Sequence, residues 1–251
     1  MNCYILHNTT GAKGKKLILF FTGWGMDERP FLNMAEEEYD IAIISNYSSL
    51  SLPCPTLQQF AEQYDEINIV AWSMGVWAAC KTFALTVNLK SRLNHSIAIN
   101  GTPLPISDEY GIPEAIFNGT ISTLPQSIEK FNLRMCGSKT VYNLFKAVEP
   151  NRNADDKKEE LIAIKESFVQ CPPLEWTKAI ISKNDRIFPL ENQLRYWGSY
   201  NMEQRKKSGT GMCVRECMIV GIDAPHYIYY GENFRLSQLF GDCPPDIPIC
   251  R

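Results

Sequence analysis

The chain has 251 residues, of which 45% are hydrophobic and 21% charged, a composition that suits one large globular domain or one domain that carries an insertion. Its net charge of −3 gives no reason to expect nucleic acid or an anionic membrane as a partner. No secretory signal pattern opens the sequence, and no apolar run reaches the roughly 18 residues of a membrane span. We therefore expect a cytoplasmic protein.

The nine cysteines are odd in number and contain no Cys-x-x-Cys pair. Cys213 and Cys217 lie close in sequence, but no neighbouring His or Cys pair completes a zinc site. We expect reduced, mostly buried thiols, and no metal or organic cofactor.

Three continuous apolar runs, at 17–21, 41–44 and 67–71, predict strands that are buried on both faces of a parallel sheet. The segments TLQQFAEQY and MGVWAACKTFALTV lie between or after these runs and predict helices. Strands that alternate with helices indicate an α/β fold with a mostly parallel central sheet flanked by helices.

After a fourth predicted strand at 96–99, the strand–helix alternation stops. Residues 104–173 contain the helical patterns SIEKFNLRMCGSKTVYNLF and DDKKEELIAIKESFVQ, with Asp155 and Asp156 as acidic residues at the start of the second. Strands are again predicted in WTKAIISKNDRIFP and VRECMIVGIDAPHY, before a final helix near ENFRLSQLF. We predict a core of residues 1–103 and 174–251, interrupted by a helical lid insertion at 104–173.

A single serine, Ser73, lies where the third strand meets a helix. Ala71 and Gly75 flank it two residues away on each side, close to the Gly-x-Ser-x-Gly pattern of a nucleophile elbow. The pattern needs small residues because the turn packs tightly against the sheet. A serine that caps the helix is the alternative.

A nucleophilic serine needs a base, and the sequence offers three histidines. His226 follows the predicted strand CMIVGI, at the strand end where α/β sheets collect their catalytic residues. We expect His7, in a polar hairpin-like region, and His95, ahead of a strand, to lie at the surface.

The orienting acid is expected between the serine and the histidine in chain order. Asp185 follows the predicted strand KAIISKN and is favoured, whereas Asp223 is the competitor and could serve as a capping residue in its loop. Asp27 and the carboxylates of MAEEEYD are interpreted as a solvated face.

An oxyanion hole requires backbone N–H donors. The amide of Met74 directly follows the serine, and Trp24 in the loop TGWG supplies the second candidate amide; an ordinary tight turn with a buried ring is the alternative for this loop. Ser73, Asp185, His226, Trp24 and Met74 together predict acyl-transfer chemistry.

The chain resembles the BioG-type pimeloyl-[acyl-carrier protein] methyl ester esterases of the α/β-hydrolase superfamily. The likeness spans about residues 17–240 and rests on the segments FFTGWGMD, VAWSMGVWAA, NGTPLPI, KNDRIFPLENQLRYW and DAPHY. It implies that the enzyme hydrolyses the methyl ester of pimeloyl-acyl carrier protein in biotin precursor synthesis, with acyl carrier protein as its partner. Thr22, where many related hydrolases have histidine, the segment 198–213 and the Pro/Cys-rich tail depart from the pattern.

Other functions remain open at this point. The same residues would suit a thioesterase, a small-ester hydrolase or a lyase, and a non-catalytic carrier-binding protein is a further alternative. Four basic residues of the insertion could form a docking face or simply be solvated: Arg134, Lys139, Lys146 and Arg152. Five apolar ones could line an acyl channel or simply pack on the core: Phe131, Leu133, Tyr142, Leu144 and Phe145.

Overall fold

A seven-stranded sheet lies at the centre of the computed structural model, which describes residues 1–10, 16–51, 57–84, 93–168, 174–208, 216–231 and 234–241. The strand order is β1-β3-β2-β4-β5-β6-β7. The strands are β1 Asn2–Leu6, β2 Lys16–Phe21, β3 Tyr39–Ser45, β4 Glu66–Trp72, β5 Leu93–Ile99, β6 Lys178–Ser182 and β7 Met218–Ile222.

All strand pairs are parallel except β1 with β3. The parallel pairing of β2 with β4 places Phe21 opposite Ala71, so the loops that follow these two strands leave the sheet side by side. The continuous apolar runs are therefore confirmed as central buried strands. The antiparallel edge strand β1 was not predicted.

Seven α-helices are present in the described residues: α1 Leu57–Gln63, α2 Met74–Ala84, α3 Glu114–Thr123, α4 Ile128–Cys136, α5 Lys139–Ala147, α6 Ala154–Glu166 and α7 Leu190–Ser208. Helix α7 was not predicted, and it includes most of the segment 198–213 that departs from the family pattern. The remainder of that segment, 209–213, lies outside the described residues. The final predicted helix is wrong in type, because Leu236–Phe240 forms one short 3-10 helix.

Helices α3 to α6 all lie between β5 and β6, and we call Glu114–Glu166 the helical insertion. The pattern SIEKFNLRMCGSKTVYNLF divides into two helices at Gly137, whose φ of 73° is left-handed and ends α4. The side chain of Ser138 then caps α5, and that of Asn153 caps α6. Residues 104–173 as a separate lid domain stay a prediction.

The segment MAEEEYD is not a wholly solvated face, so that interpretation is corrected. Glu37 and Glu38 are exposed, but Glu36 and Asp40 are buried. Glu36 accepts hydrogen bonds from the backbone N–H of Ser237 at 3.0 Å and from its hydroxyl at 2.7 Å. These bonds satisfy a buried carboxylate and hold the 3-10 helix Leu236–Phe240 against the core.

The described helices include none that is both long enough and apolar enough to cross a bilayer.

The thiols of Cys136 and Cys217 are buried, and burial raises the pKa of each to about 12. These two cysteines therefore behave as packing residues rather than as nucleophiles. The Pro/Cys-rich tail from 242 onward lies outside the described residues.

Candidate active site

Ser73 sits on a strained turn between β4 and α2. Its φ is 57°, and its backbone N–H donates to the carbonyl oxygen of Ile99 at 2.9 Å. A Cβ atom on Gly75 would lie 2.3 Å from the carbonyl oxygen of Phe21, and one on Gly101 would lie 2.5 Å from that of Ser73. Glycine is thus required at both positions, and the turn has the tight backbone packing of a nucleophile elbow.

His226 lies next to Ser73, in the loop after β7. Its Nε2 atom is 3.0 Å from the Oγ atom of Ser73, and its side chain is 2% exposed. The carbonyl oxygen of His226 accepts hydrogen bonds from the indole N–H of Trp72 at 3.0 Å and from the side-chain amide of Asn100 at 2.8 Å. Two buried donors therefore hold the backbone that carries the imidazole.

Asp185 completes the hydrogen-bonded series. Its Oδ2 atom is 2.8 Å from Nδ1 of His226, and its side chain is fully buried. Its Oδ1 atom accepts from the backbone N–H groups of Ile187 and Phe188, each at 2.8 Å, and Oδ2 also accepts from the side-chain amide of Gln193 at 3.2 Å. All these donors suit an ionised carboxylate with a fixed orientation.

The other sequence candidates lie elsewhere. Asp223 is exposed and accepts a hydrogen bond from the side-chain amide of Asn184 at 2.6 Å, so it is not the partner of His226. His7 is exposed, as predicted. His95 lies within β5 rather than before a strand, and its ring stacks on Phe240 with a centroid distance of 4.9 Å.

Trp24 and Met74 both line the pocket that contains Ser73 and His226. Met74 is the first residue of α2, so its amide has no acceptor within the helix. Among the described residues, none accepts a hydrogen bond from the backbone N–H of Trp24. Both candidate donors are therefore free to face a developing oxyanion. Their role stays a prediction.

The pocket walls are mainly apolar. Among its described lining residues, Arg134 is the one permanently charged side chain, and its guanidinium donates to the carbonyl oxygen of Arg186 at 2.9 Å. The apolar lining residues are Trp24, Trp72, Met74, Ile112, Ile116, Phe117, Phe131, Met135, Leu161 and Ile187. Such a pocket suits an uncharged aliphatic group.

Of the five apolar residues proposed for an acyl channel, Phe131 alone lines this pocket. Phe145 instead packs against Tyr227, with ring centroids 5.2 Å apart. Leu133 and Leu144 are 40% and 49% exposed. Tyr142 does not line the pocket either, so for these four residues the structure does not support a channel at Ser73.

The four basic residues of the insertion do not converge on one exposed face. The side chain of Arg152 is 6% exposed and forms ion pairs with Asp156 and Glu160. Lys146 pairs with Glu149 at 3.0 Å. Arg134 is exposed and lines the pocket, and Lys139 is exposed.

Sequence reasoning missed two polar residues that support this site, Asn100 and Gln193, and also missed the burial of Glu160. Asn100 has a left-handed φ of 49° and directly precedes Gly101, a pair that could have marked a special turn after β5. Gln193 is fully buried and donates to both Asp185 and the carbonyl oxygen of Phe188. Glu160 lies among other charged residues of α6, where the sequence gives no sign that it is buried.

A family model described as pimeloyl-ACP methyl esterase BioG matches residues 7–230. The chain belongs to the BioG family. A crystal structure of BioG from Haemophilus influenzae is 30% identical, with a TM-score of 0.74, and the match covers 91% of this chain and 95% of that one. The family resemblance drawn from the sequence is confirmed.

Two further comparisons extend this result. A malonyl-[acyl-carrier protein] O-methyltransferase from Bacteroides fragilis is 43% identical over 198 residues, which are 78% of this chain but 39% of that protein. The BioG-family chain thus spans about two fifths of the length of this relative. An esterase from Exiguobacterium antarcticum is 11% identical with a TM-score of 0.59, over 90% of this chain and 88% of the other, and shares the α/β-hydrolase fold.

Proposed function

We propose that this BioG-family chain is a serine carboxylesterase that hydrolyses the methyl ester of pimeloyl-acyl carrier protein methyl ester. The observation that carries the proposal is the series Ser73–His226–Asp185, with adjacent distances of 3.0 and 2.8 Å, at one wall of an apolar pocket. This arrangement is the one that activates a serine for acyl transfer on many unrelated folds.

The reaction would proceed in two halves. Oγ of Ser73 attacks the ester carbonyl carbon while Nε2 of His226 takes its proton, and the carbon–oxygen bond to methoxide then breaks as His226 returns the proton to release methanol. Water attacks the resulting acyl-enzyme by the same route and restores Ser73. Asp185 stabilises the imidazolium in both halves, and the amides of Trp24 and Met74 would donate to the oxyanion.

The pocket favours a neutral methyl ester over a free carboxylate. Ile116, Phe117, Phe131 and Leu161 present hydrocarbon to the methylene chain of the substrate. A carboxylate would lose its hydration there without gaining charged partners beyond Arg134, which is costly. We therefore expect weak inhibition by the pimeloyl product relative to binding of its methyl ester.

The carrier-bound substrate gives the helical insertion a role as a lid. Arg134, Ile116 and Thr120 of the insertion line the pocket and are wholly or partly accessible, which places a positive charge and apolar surface beside the opening. An acidic carrier protein would be attracted by such a charge. The proposal needs no metal or organic cofactor and places the enzyme in the cytoplasm with its carrier.

The methyltransferase name of the Bacteroides relative is not transferred to this chain, because more than half of that protein lies outside the similarity. Its name describes methylation of a carrier-bound malonyl group. Removal of a methyl ester from a carrier-bound acyl group is chemistry on the same kind of substrate, which is consistent with the esterase proposal.

The test is methanol release from pimeloyl-acyl carrier protein methyl ester by the wild type and by Ser73→Ala. We expect release by the wild type and a loss on the order of 10⁴-fold or more in the variant. A thioester of the same acyl carrier substrate serves as the comparison. Preferential cleavage of the thioester would replace the esterase proposal with a thioesterase, and failure of a phosphonate probe to label Ser73 would favour a non-catalytic carrier-binding protein.

A further inference from the structure

A buried carboxylate of the helical insertion reaches into the loop that carries Trp24. Glu160 of α6 is fully buried and does not line the pocket. Its Oε2 atom accepts from the backbone N–H of Gly25 at 3.1 Å, and Oε1 accepts from the backbone N–H of Tyr47 at 2.8 Å. One side chain thus joins the insertion to the loops that follow β2 and β3.

Arg152 balances the charge of this carboxylate. Its Nη1 atom donates to Oε2 of Glu160 at 2.7 Å and to the carbonyl oxygen of Met26 at 3.1 Å, while its Nε atom donates to Asp156 at 2.6 Å. The guanidinium therefore also contacts both the insertion and the loop after β2. A buried charge pair with this many hydrogen bonds is geometrically specific, because loss of either partner leaves an unpaired buried charge.

The loop from Thr22 to Met26 is held at two points, Thr22 and Trp24, by different parts of the protein. At its start, the backbone N–H of Thr22 donates to Ile44 at 2.9 Å, and the carbonyl of Thr22 accepts from the Tyr47 hydroxyl at 2.7 Å. At Trp24, the indole N–H donates to the carbonyl oxygen of Lys157 in α6 at 2.7 Å. The core therefore fixes Thr22, and helix α6 fixes Trp24.

The candidate oxyanion donor lies between these two anchors. The Trp24 N–H belongs to the peptide that joins Gly23 to Trp24. The indole bond to Lys157 holds the Trp24 side chain, and the bond from the Gly25 N–H to Glu160 holds the next peptide, which joins Trp24 to Gly25. Gly25 has a left-handed φ of 75°, a conformation available to glycine in several alternative turns. Without the carboxylate, the Gly25 N–H loses its described acceptor, and the anchors at Thr22 and at the Trp24 indole alone set the orientation of the Trp24 amide.

We propose that Glu160, paired with Arg152, is a positioning residue that orients the backbone amide of Trp24 toward the oxyanion. The packing of the helical insertion against the core would then determine how fast Ser73 reacts. This inference rests on the proposed acyl-transfer function. It gives the insertion a part in the chemical step in addition to covering the pocket.

The decisive variant is Glu160→Gln, which keeps the shape of the side chain. A carboxamide has one acceptor oxygen and cannot accept from Gly25, Tyr47 and Arg152 together. Since one oxyanion donor is worth about 10²–10³ in kcat, partial misplacement of Trp24 should lower kcat by roughly 10- to 100-fold. We expect KM for a small methyl ester to stay within about threefold, because the pocket walls are unchanged.

Glu36→Gln is the matched control. Glu36 is also a buried carboxylate that accepts from a backbone N–H, that of Ser237 at 3.0 Å, but it binds the 3-10 helix Leu236–Phe240 and not the loop after β2. We expect Glu36→Gln to lower the melting temperature with kcat unchanged. If Glu160→Gln does not fold, Glu160→Asp decides, because it keeps the charge but shortens the side chain by one methylene, so that the carboxylate no longer reaches Gly25 and Tyr47 together. This variant should also lower kcat at similar KM.

A second readout is the rate of inactivation by a small phosphonate, whose oxygen enters the same oxyanion site as Ser73 is modified. The inference predicts slower inactivation of Glu160→Gln than of the wild type and of Glu36→Gln. Equal kcat and equal inactivation rates in folded Glu160→Gln, or in Glu160→Asp where that variant decides, would overturn it. Because phosphonate inactivation does not depend on the acyl substrate, a wild type that ignores pimeloyl-carrier methyl ester but reacts with phosphonate would refute the substrate alone.

Discussion

The side-chain amide of Asn100 donates a hydrogen bond to the backbone carbonyl oxygen of His226 at 2.8 Å. The same amide donates to the hydroxyl of Ser182 at 2.9 Å, and its oxygen accepts from the backbone N–H of Ser182 at 2.8 Å. One side chain at the end of β5 therefore joins the loop that carries His226 to the end of β6, three residues before Asp185.

We predict that Asn100→Gly lowers kcat by about 10-fold or more and destabilises the fold by about 1–3 kcal/mol, because buried partners at Ser182 and His226 lose their hydrogen bonds. Glycine accepts the φ of 49°, so backbone strain does not contribute. Steady-state kinetics and urea unfolding measure the two effects. Asn46→Gly, at a second asparagine with a positive φ of 60°, is the control and should leave kcat unchanged. Equal kcat in the two variants would refute the positioning role of Asn100.

Asp185→Asn should lower kcat by a factor on the order of 10³–10⁴, because an amide no longer stabilises the imidazolium and favours the wrong tautomer of His226. Two backbone N–H groups still hold one oxygen of the side chain, so the fold should survive. Ester hydrolysis kinetics with circular dichroism would check both statements. The matched change Asp223→Asn, at an exposed aspartate, should keep near wild-type activity. If Asp223→Asn lost more activity than Asp185→Asn, Asp223 rather than Asp185 would be the acid that orients His226.

Gly75→Ala should destabilise the protein by about 3 kcal/mol or more, since the added Cβ would lie 2.3 Å from one backbone oxygen and 2.5 Å from the next, at Phe21 and Thr22. Gly119 in α3 has no heavy atom within 4 Å of a built Cβ, so Gly119→Ala should instead stabilise by roughly 0.5–1 kcal/mol. Thermal unfolding of both variants compares them directly. A stable, active Gly75→Ala would mean that the turn after β4 relaxes without cost.

A pH effect on stability is expected at Asp40. Burial would raise the pKa of its carboxyl, but hydrogen bonds from Asn8, Tyr64 and His7 outweigh burial and place the pKa below the ordinary value of 3.8. The folded state therefore prefers the ionised form. The stabilisation is present above pH ~4 and is lost as pH falls through the folded pKa.

The measurement is the urea midpoint of wild type and Asp40→Asn from pH 6 to pH 3. We expect the wild type to be more stable at pH 6, with the difference shrinking toward pH 3. Glu37→Gln, at an exposed carboxylate three residues away, should follow the wild type at every pH. A difference that grows on acidification would show that the sign assigned to Asp40 is wrong.

The sequence was informative where the signal is local. Continuous apolar runs located the parallel strands β2 to β5, because strands buried on both faces need hydrocarbon at every position. The positions of Ser73, Asp185 and His226 directly after strands were enough to predict that they lie at one edge of the sheet, and the hydrogen-bonded distances agree with that prediction.

The remaining features depend on distant partners. In the sequence, Glu160 resembles any solvated helix carboxylate. The backbone N–H groups that bind it, those of Gly25 and Tyr47, are 135 and 113 residues away in the chain. Helix α7 was missed because its composition is largely polar and its buried residues, such as Trp197 and Tyr200, are few. Propensity and pattern cannot supply such contacts, since tertiary packing decides them.

The ion pair between Arg152 and Glu160 limits how the insertion can change among members of such a family. Helices inserted between two strands are an obvious place to alter substrate choice, because the sheet need not change. Here, however, an exchanged insertion must also bring an acid and a guanidinium to the spacing of Glu160 and Arg152, or adapt the recipient loop to their absence. A chimera that ignores this requirement should bind its new substrate and turn it over slowly.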